Sequence, residues 1–378
     1  MTRSLLALVL VSLVACQPTG GERYTRKQAQ TSLRKLEAPG LLLGEFRLSK
    51  VVDGDTIRVD GLDASLRLLG VDAEETFKSE GDRRAVEASW ERYLKTKRGD
   101  SKRPIKAASP MGEVAKEWAK TWFAGVTRVR LERDHAAEIR DRYERYLSYV
   151  FAEKDGVWRN YNVEMVRAGM SPYFPKYGNS RRFHQEFLEA QAEAKAARRG
   201  IWQPGAMAYP DYPEREAWWS ARGNFLEAFR KEAEGKPSYI DITHVDAAVR
   251  LEEHVGKEVH VLGAIDNVHR SGRGPARAML SRGRSSDFPL IFFDPDVLAM
   301  SGVDAWRGEF IVVTGVPTFY ENKRSHKKQL QIVVDRASQI RLCPVPGLAP
   351  PASSIAAPAA PAATPAPAPG GAAGGAAP

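Results

Sequence analysis

Val51–Thr76 reads VVDGDTIRVDGLDASLRLLGVDAEET, and the fold turns on how that stretch is read. Val51-Val52 leads into Asp53-Gly54, a turn signal. Asp55-Thr56-Ile57-Arg58-Val59 then alternates as a half-buried strand does. Ser65–Val71 reads as a second strand, apolar but for Ser65, Arg67 and Gly70; Asp72, Glu74 and Glu75 follow where it should end. If the two strands pair, Asp55, Arg67, Asp72 and Glu75 converge at one end of a small sheet. Asp55 and Asp72 are hard oxygen ligands suited to a hard cation such as calcium. Two carboxylates leave most of a shell of about six to eight oxygens to carbonyls, waters or substrate. Arg67 carries a planar fork of donors that matches a phosphate, and Glu75 can take a proton from water. On composition alone the same residues also make an ordinary hairpin with turn acids and one paired arginine.

Order and spacing separate these alternatives. Val51-Val52-Asp53-Gly54-Asp55-Thr56, followed by Arg67-Leu68-Leu69-Gly70-Val71-Asp72-Ala73-Glu74-Glu75-Thr76, resembles the staphylococcal nuclease (thermonuclease) family. Three later stretches extend the resemblance in the same order. They are Asp141-Arg142-Tyr143-Glu144-Arg145-Tyr146-Leu147, Asn162–Gly169, and Arg181–Arg199 closed by Gly200-Ile201-Trp202. The resemblance implies a mainly β fold with packed helices, an OB-like nuclease barrel. It implies calcium-dependent hydrolysis of DNA and RNA phosphodiesters with low sequence specificity, leaving 3′-phosphate ends. Asp55, Asp72 and the Ala73 carbonyl would hold calcium. Glu75 would orient or deprotonate the attacking water, and Arg67 and Arg145 would neutralise charge growing on the phosphoryl oxygens. Arg142, Tyr143, Tyr173 and Tyr177 would contact substrate, and Asp53 would support the site.

Two departures bear on activity. Glu74 stands where the family usually has proline, so the choice of Glu75 rests on its spacing from Asp72. Glu144 stands where the family usually has glycine; as a strand neighbour of Arg145 it is expected to point to the opposite face.

The full chain of 378 residues, with net charge +9 and pI about 9.4, allows two domains and favours a polyanionic partner or an anionic surface. Residues 1–16 read as a lipoprotein signal peptide: Arg3, a short apolar run, then Leu13-Val14-Ala15-Cys16, which resembles the bacterial lipobox with Cys16 lipidated. Residues 17–43 are a tether, and 44–203 the nuclease-like domain. Within it, 77–110 is an insertion whose basic run Lys95–Arg103 is either solvated or an extra phosphate-contacting loop. Val114, Trp118 and Trp122 are expected on the core face of a helix over 111–123. Residues 204–236 form a helical linker whose Trp218, Trp219, Phe225 and Phe229 pack between domains. Residues 237–343 carry a short helix over 245–255, then five short strands with one short helix around 297–300, a second small β-barrel domain that resembles an OB-fold. Its basic loops include Lys323, Arg324, Lys327 and Lys328 beside Phe319 and Tyr320, a pattern suited to single strands. Residues 344–378 are an Ala/Pro/Gly tail without a core. No histidine has metal-site spacing.

The expected protein is a monomer without an evident protein partner. It acts on DNA and RNA and is lipid-anchored through Cys16 to a bacterial membrane, in the cell envelope and facing outside the cytoplasm. The competing class is a catalytically inactive, lipid-anchored nucleic-acid-binding module, for which Glu74 and Glu144 are the only support. An envelope structural lipoprotein would explain the tether and tail but not the acid–arginine constellation.

Overall fold

The strand-rich stretch around Val51 builds a ring. A computed structural model of the chain describes residues 40–141, 143–272, 274–281, 288–321, 326 and 328–348. Strand β1 (Leu42–Asp53) turns through Gly54-Asp55 into β2 (Thr56–Val59), and Leu66–Leu68 is the short β3. β4 (Arg128–Glu132), β5 (Tyr146–Lys154) and β6 (Val157–Asn160) complete the sheet. β1 runs antiparallel to β2 and β4, β5 antiparallel to β4 and β6, and β3 parallel to β5. Because β3 also lies beside β2, the strands close on themselves. Ile57, Leu66, Leu68, Val129, Leu131 and Val150 fill the interior.

Two expectations are corrected here. Residues 51–59 and 65–71 do not form a hydrogen-bonded pair; the first folds back on itself as β1–β2, and the second finds β5. Asp55 sits in the turn, not in a strand. The turn needs glycine for space, since a Cβ at Gly54 would stand 2.9 Å from the Met165 side chain.

The insertion folds as α1 (Glu80–Ala88) and α2 (Trp90–Arg98), and α3 (Pro110–Trp122) follows. Ser79, Ser89 and Ser109 cap the three helices by accepting from backbone N–H groups. The buried face of α3 is Met111, Ala115 and Ala119; Val114 is exposed and Trp118 and Trp122 are only partly covered. The expected stripe is therefore displaced around the helix, because small residues let α3 approach the barrel closely. α4 (Tyr161–Arg167) and α5 (His184–Ala196) lie beyond the barrel. Phe187, Ala190 and Ala194 form the buried stripe of α5.

Helix α6 (Tyr212–Ala233) joins the two halves. Its Tyr212 and Trp219 pack with Tyr93, Met111 and Phe174, while Phe225, Leu226 and Phe229 pack with Leu262, Phe310 and Val312. Next come β7 (Tyr239–Asp241), α7 (Ala247–Glu253), β8 (Val259–His269), β9 (Ala276–Ser281), β10 (Phe288–Phe292) and α8 (Pro295–Ser301). β11 (Phe310–Gly315), β12 (Pro317–Glu321), β13 (Lys328–Val333) and β14 (Ile340–Leu342) end the described fold. β8 runs antiparallel to β9 and β11, and β10 antiparallel to β9 and parallel to β13. β12 continues β11 past Val316 and pairs with β13, closing a second small barrel. Its ring order repeats that of the first, down to the parallel pair of third and fifth strands. β7 and β14 are additional edge strands that the sequence pattern did not show.

Candidate active site

β3 delivers Arg67, and its surroundings explain where it points. Asn162 of α4 is fully buried; its side-chain amide donates to the carbonyls of Leu69 and Ser148 and accepts from the Val150 N–H, which holds β3 against β5. From there the Arg67 guanidinium spans two carboxylates, donating to Asp55 at 2.7 Å and to Asp72 at 2.8 Å. Burial works against the arginine's charge, but Asp55 and Asp72 outweigh it and raise its pKa. Burial likewise penalises Asp72, yet Lys106 and Arg67 hold its carboxyl below the usual range. The Asp72 backbone N–H is fixed by the Ser171 hydroxyl at 2.8 Å.

The two neighbouring glutamates divide cleanly. Glu74 is 3% exposed and accepts from the Tyr209 N–H at 2.7 Å, the Tyr212 hydroxyl at 2.8 Å and the Ser109 hydroxyl. Burial raises its pKa. Glu75 faces the other way, as alternate residues of an extended segment do, with its side chain 33% exposed. Lys106 lies 2.6 Å from Asp72 and 3.8 Å from Glu75, so Glu75 shares the cluster that holds Asp72. The Glu75 backbone is pinned by α3, whose Ser109 N–H donates to the Glu75 carbonyl at 2.9 Å. A Cβ at Gly112 would stand 2.2 Å from that carbonyl oxygen, so only glycine allows the approach. Asp53 accepts from the Gly54 N–H and the Thr76 hydroxyl, linking the turn that carries Asp55 to the segment that carries Glu75. Ala73 is buried between them.

Arg145 is not in direct contact with this group. Its guanidinium binds Asp141 at 2.6 Å and lies over the Tyr143 ring. The register of β3 with β5 pairs Arg67 with Leu147, and Arg145 stands two residues before it, just ahead of β5. Glu144 is not a strand residue: it occupies a turn after Asp141 with φ of 63°, which corrects the expectation of simple face alternation. Glycine is common at such a position because the left-handed region costs it nothing. Arg142, Lys323, Arg324 and Lys327 lie outside the described residues. Lys328 is exposed on β13.

The two tyrosines also divide. Tyr177 is 60% exposed and, with Arg67, Phe174 and Asn179, lines a cavity of about 70 Å³. Tyr173 is buried, stacked on Phe187 at 4.8 Å, with its hydroxyl engaged by the Ser180 N–H and His184. Its ring and hydroxyl are thus engaged in packing and internal hydrogen bonds.

Sequence reasoning missed Lys106, whose partners lie far along the chain. The conspicuous basic run before it is engaged in structure: Lys97 pairs with Asp82, Arg98 with Asp211 and Glu214, and Arg103 with Glu309. It also missed that the fold gathers His135, Glu138 and His244, whose donor atoms lie within 4.8 Å of one another. Arg181 and Arg230 stand 3.3 and 3.6 Å from the Glu138 carboxylate, so this cluster is an ion network.

The first barrel has relatives among known proteins. The family described as staphylococcal nuclease homologue matches residues 65–204. The uncharacterized protein MJ1439 of Methanocaldococcus jannaschii is 33% identical over 158 residues, spanning 41% of this chain and 70% of that protein. The thermonuclease of Staphylococcus hyicus is 29% identical over 162 residues, 42% of this chain and 75% of its own. That of Staphylococcus intermedius is 28% identical over 204 residues, 53% of this chain and 94% of its own.

Proposed function

The chain belongs to the staphylococcal nuclease family, and from that premise we propose that its first barrel hydrolyses phosphodiester bonds of DNA and RNA with calcium, leaving 3′-phosphate ends. One observation carries most of the weight: Arg67 is held between Asp55 and Asp72, with Glu75 turned toward the same place and Glu74 turned away. A guanidinium held by two carboxylates keeps its donors oriented for a phosphate, where preorganised charge contributes most to rate. Glu75 is the carboxylate left to orient or deprotonate water. Arg145, now held by Asp141, would exchange that partner for a phosphoryl oxygen and act with Arg67. Specificity is low, since these groups grip phosphate and not base edges.

The donor set fits a hard cation. Asp55 and Asp72 lie close enough for one guanidinium to span both, and a partly buried acid pair of that kind suits calcium. Asp55, Asp72 and the Ala73 carbonyl would hold it, and it would supply positive charge beside the phosphate. Incubating the full chain with DNA and RNA tests this. Cleavage with calcium, lost with chelator and leaving 3′-phosphate ends, is expected; intact substrate under all conditions would rule the activity out.

The second barrel is proposed to hold nucleic acid for the first. A cleft of about 440 Å³ on it is lined by His269, Arg270, Arg277 and Gln329, and Phe319 and Tyr320 are exposed on β12. Cys16, outside the described residues, is proposed as a lipid anchor to a bacterial membrane, with the protein facing outside the cytoplasm. Among the described residues no helix is long and apolar enough to cross a membrane. Salt-resistant membrane retention of a Cys16→Ser protein would remove the lipid-anchor proposal.

A further inference from the structure

The insertion returns to the barrel through Arg103–Ser109, and most residues of that leg are fastened. Arg103 donates to Glu309 at 2.7 Å and to the carbonyls of Ala305 and Arg307, all in the second half of the chain. Glu309 has no exposed surface and is further held by Arg222 and Trp218. Arg215 donates to the Ile105 carbonyl, and the Tyr209 hydroxyl bonds both the N–H and the carbonyl of Ala107. Ser109 donates to Glu74. Only the Lys106 side chain leaves this leg for the acids, and it reaches Asp72 at 2.6 Å and Glu75 at 3.8 Å.

We propose that Lys106 is a tethered cation that occupies the metal-binding edge of Asp72, so that a divalent ion must displace it, and that the second barrel holds its tether through Glu309 and Arg103. This rests on Asp55 and Asp72 being the metal ligands. Asp72 Oδ1 already accepts from two cationic donors, Arg67 and Lys106. A calcium ion drawn to the same oxygen meets an ammonium at contact distance, where like charges repel strongly in a partly buried site. Arg67 is the shared phosphate donor, and it contacts both acids. Lys106 contributes no such bridge to Asp55; its nearest acids are Asp72 and Glu75. It therefore weakens and gates metal binding while keeping the acids neutralised when no metal is bound.

Calcium titration by calorimetry on the full chain tests this, comparing wild type with Lys106→Met, Lys106→Gln and Arg103→Ala. Thermal melts confirm that each variant folds. Both Lys106 variants are expected to bind calcium about tenfold tighter or more. Arg103→Ala should shift affinity in the same direction by less. Unchanged or weaker affinity in the Lys106 variants overturns the proposal, and an unchanged Arg103→Ala overturns the anchoring half of it. If wild type cleaves nucleic acid with calcium while the Lys106 variants bind calcium no tighter, only this inference falls. If no variant binds calcium and none cleaves, the nuclease assignment falls with it.

Discussion

Glu144 has φ of 63° and is exposed, next to the arginine proposed to bind phosphate. Holding the left-handed region costs a residue with a Cβ roughly 1–2 kcal/mol. Glycine recovers most of that, less its own loss of freedom on folding. Glu144→Gly should therefore stabilise the protein by about 0.5–1 kcal/mol, seen as a melting temperature roughly 1–3 °C higher. A lower melting temperature would show that the Glu144 side chain contributes more than its backbone costs. The stretch Asp53–Thr76 was legible because its acids and arginine keep fixed order and spacing. Glu144's backbone was not legible: the alternation that describes strands says nothing about a turn that interrupts one.

Among the elements, the segment Asp134–Glu138 before β5 is fixed to the start of the second half. The Val245 N–H donates to the Ala137 carbonyl, and the rings of His135 and His244 stack 4.8 Å apart. Burial opposes the Glu138 charge, but His244, Arg230 and Arg181 pull its carboxyl down to about 2. Burial likewise opposes charge on His244, yet Glu138 and Asp241 raise its pKa. The carboxylate's contribution is present above its unfolded value of 4.5 and is lost as pH falls toward about 2. The imidazolium's contribution is full below 6.5 and is lost as pH rises through its raised folded value. The difference in melting temperature between wild type and Glu138→Gln should be largest between those two pH values. It should shrink as the solution is acidified toward pH 2; a difference independent of pH from 7 to 3 would mean that the charge is not what stabilises this contact. None of this was visible in the sequence, because His135 and His244 belong to different halves and share no spacing.

For the molecule as a whole, the strand order of both barrels was partly legible from alternation and turn signals, and helix α6 was legible as the piece between them. The pairing partners were not: β3 with β5, β10 with β13, and β7 and β14 at the edges join residues far apart in the chain, which local pattern does not specify. The two barrels share α6 as a common core element, with Trp219 on one side and Phe225, Leu226 and Phe229 on the other. If the second barrel holds substrate, changing Lys323, Arg324, Lys327 and Lys328 together to alanine should weaken nucleic-acid binding by the full chain. It should also flatten the dependence on salt, by roughly 0.7–0.9 in slope for each phosphate that the variant no longer neutralises. An unchanged slope would assign these loops another task.

The central claim is that Glu75, paired with Lys78 at 3.3 Å and 3.8 Å from the Lys106 ammonium that also holds Asp72, is the working carboxylate and that Glu74 is structural. Single-turnover cleavage by Glu75→Gln, with Glu74→Gln alongside, measures it directly. Glu75→Gln should lose a factor of roughly a hundred to a thousand in rate, the usual cost of removing one transition-state interaction, with its melting temperature nearly unchanged. Glu74→Gln should retain most of its rate, since an amide can still accept from Tyr209 and Tyr212. A near-wild-type rate for Glu75→Gln, or a collapse confined to Glu74→Gln, would contradict the account.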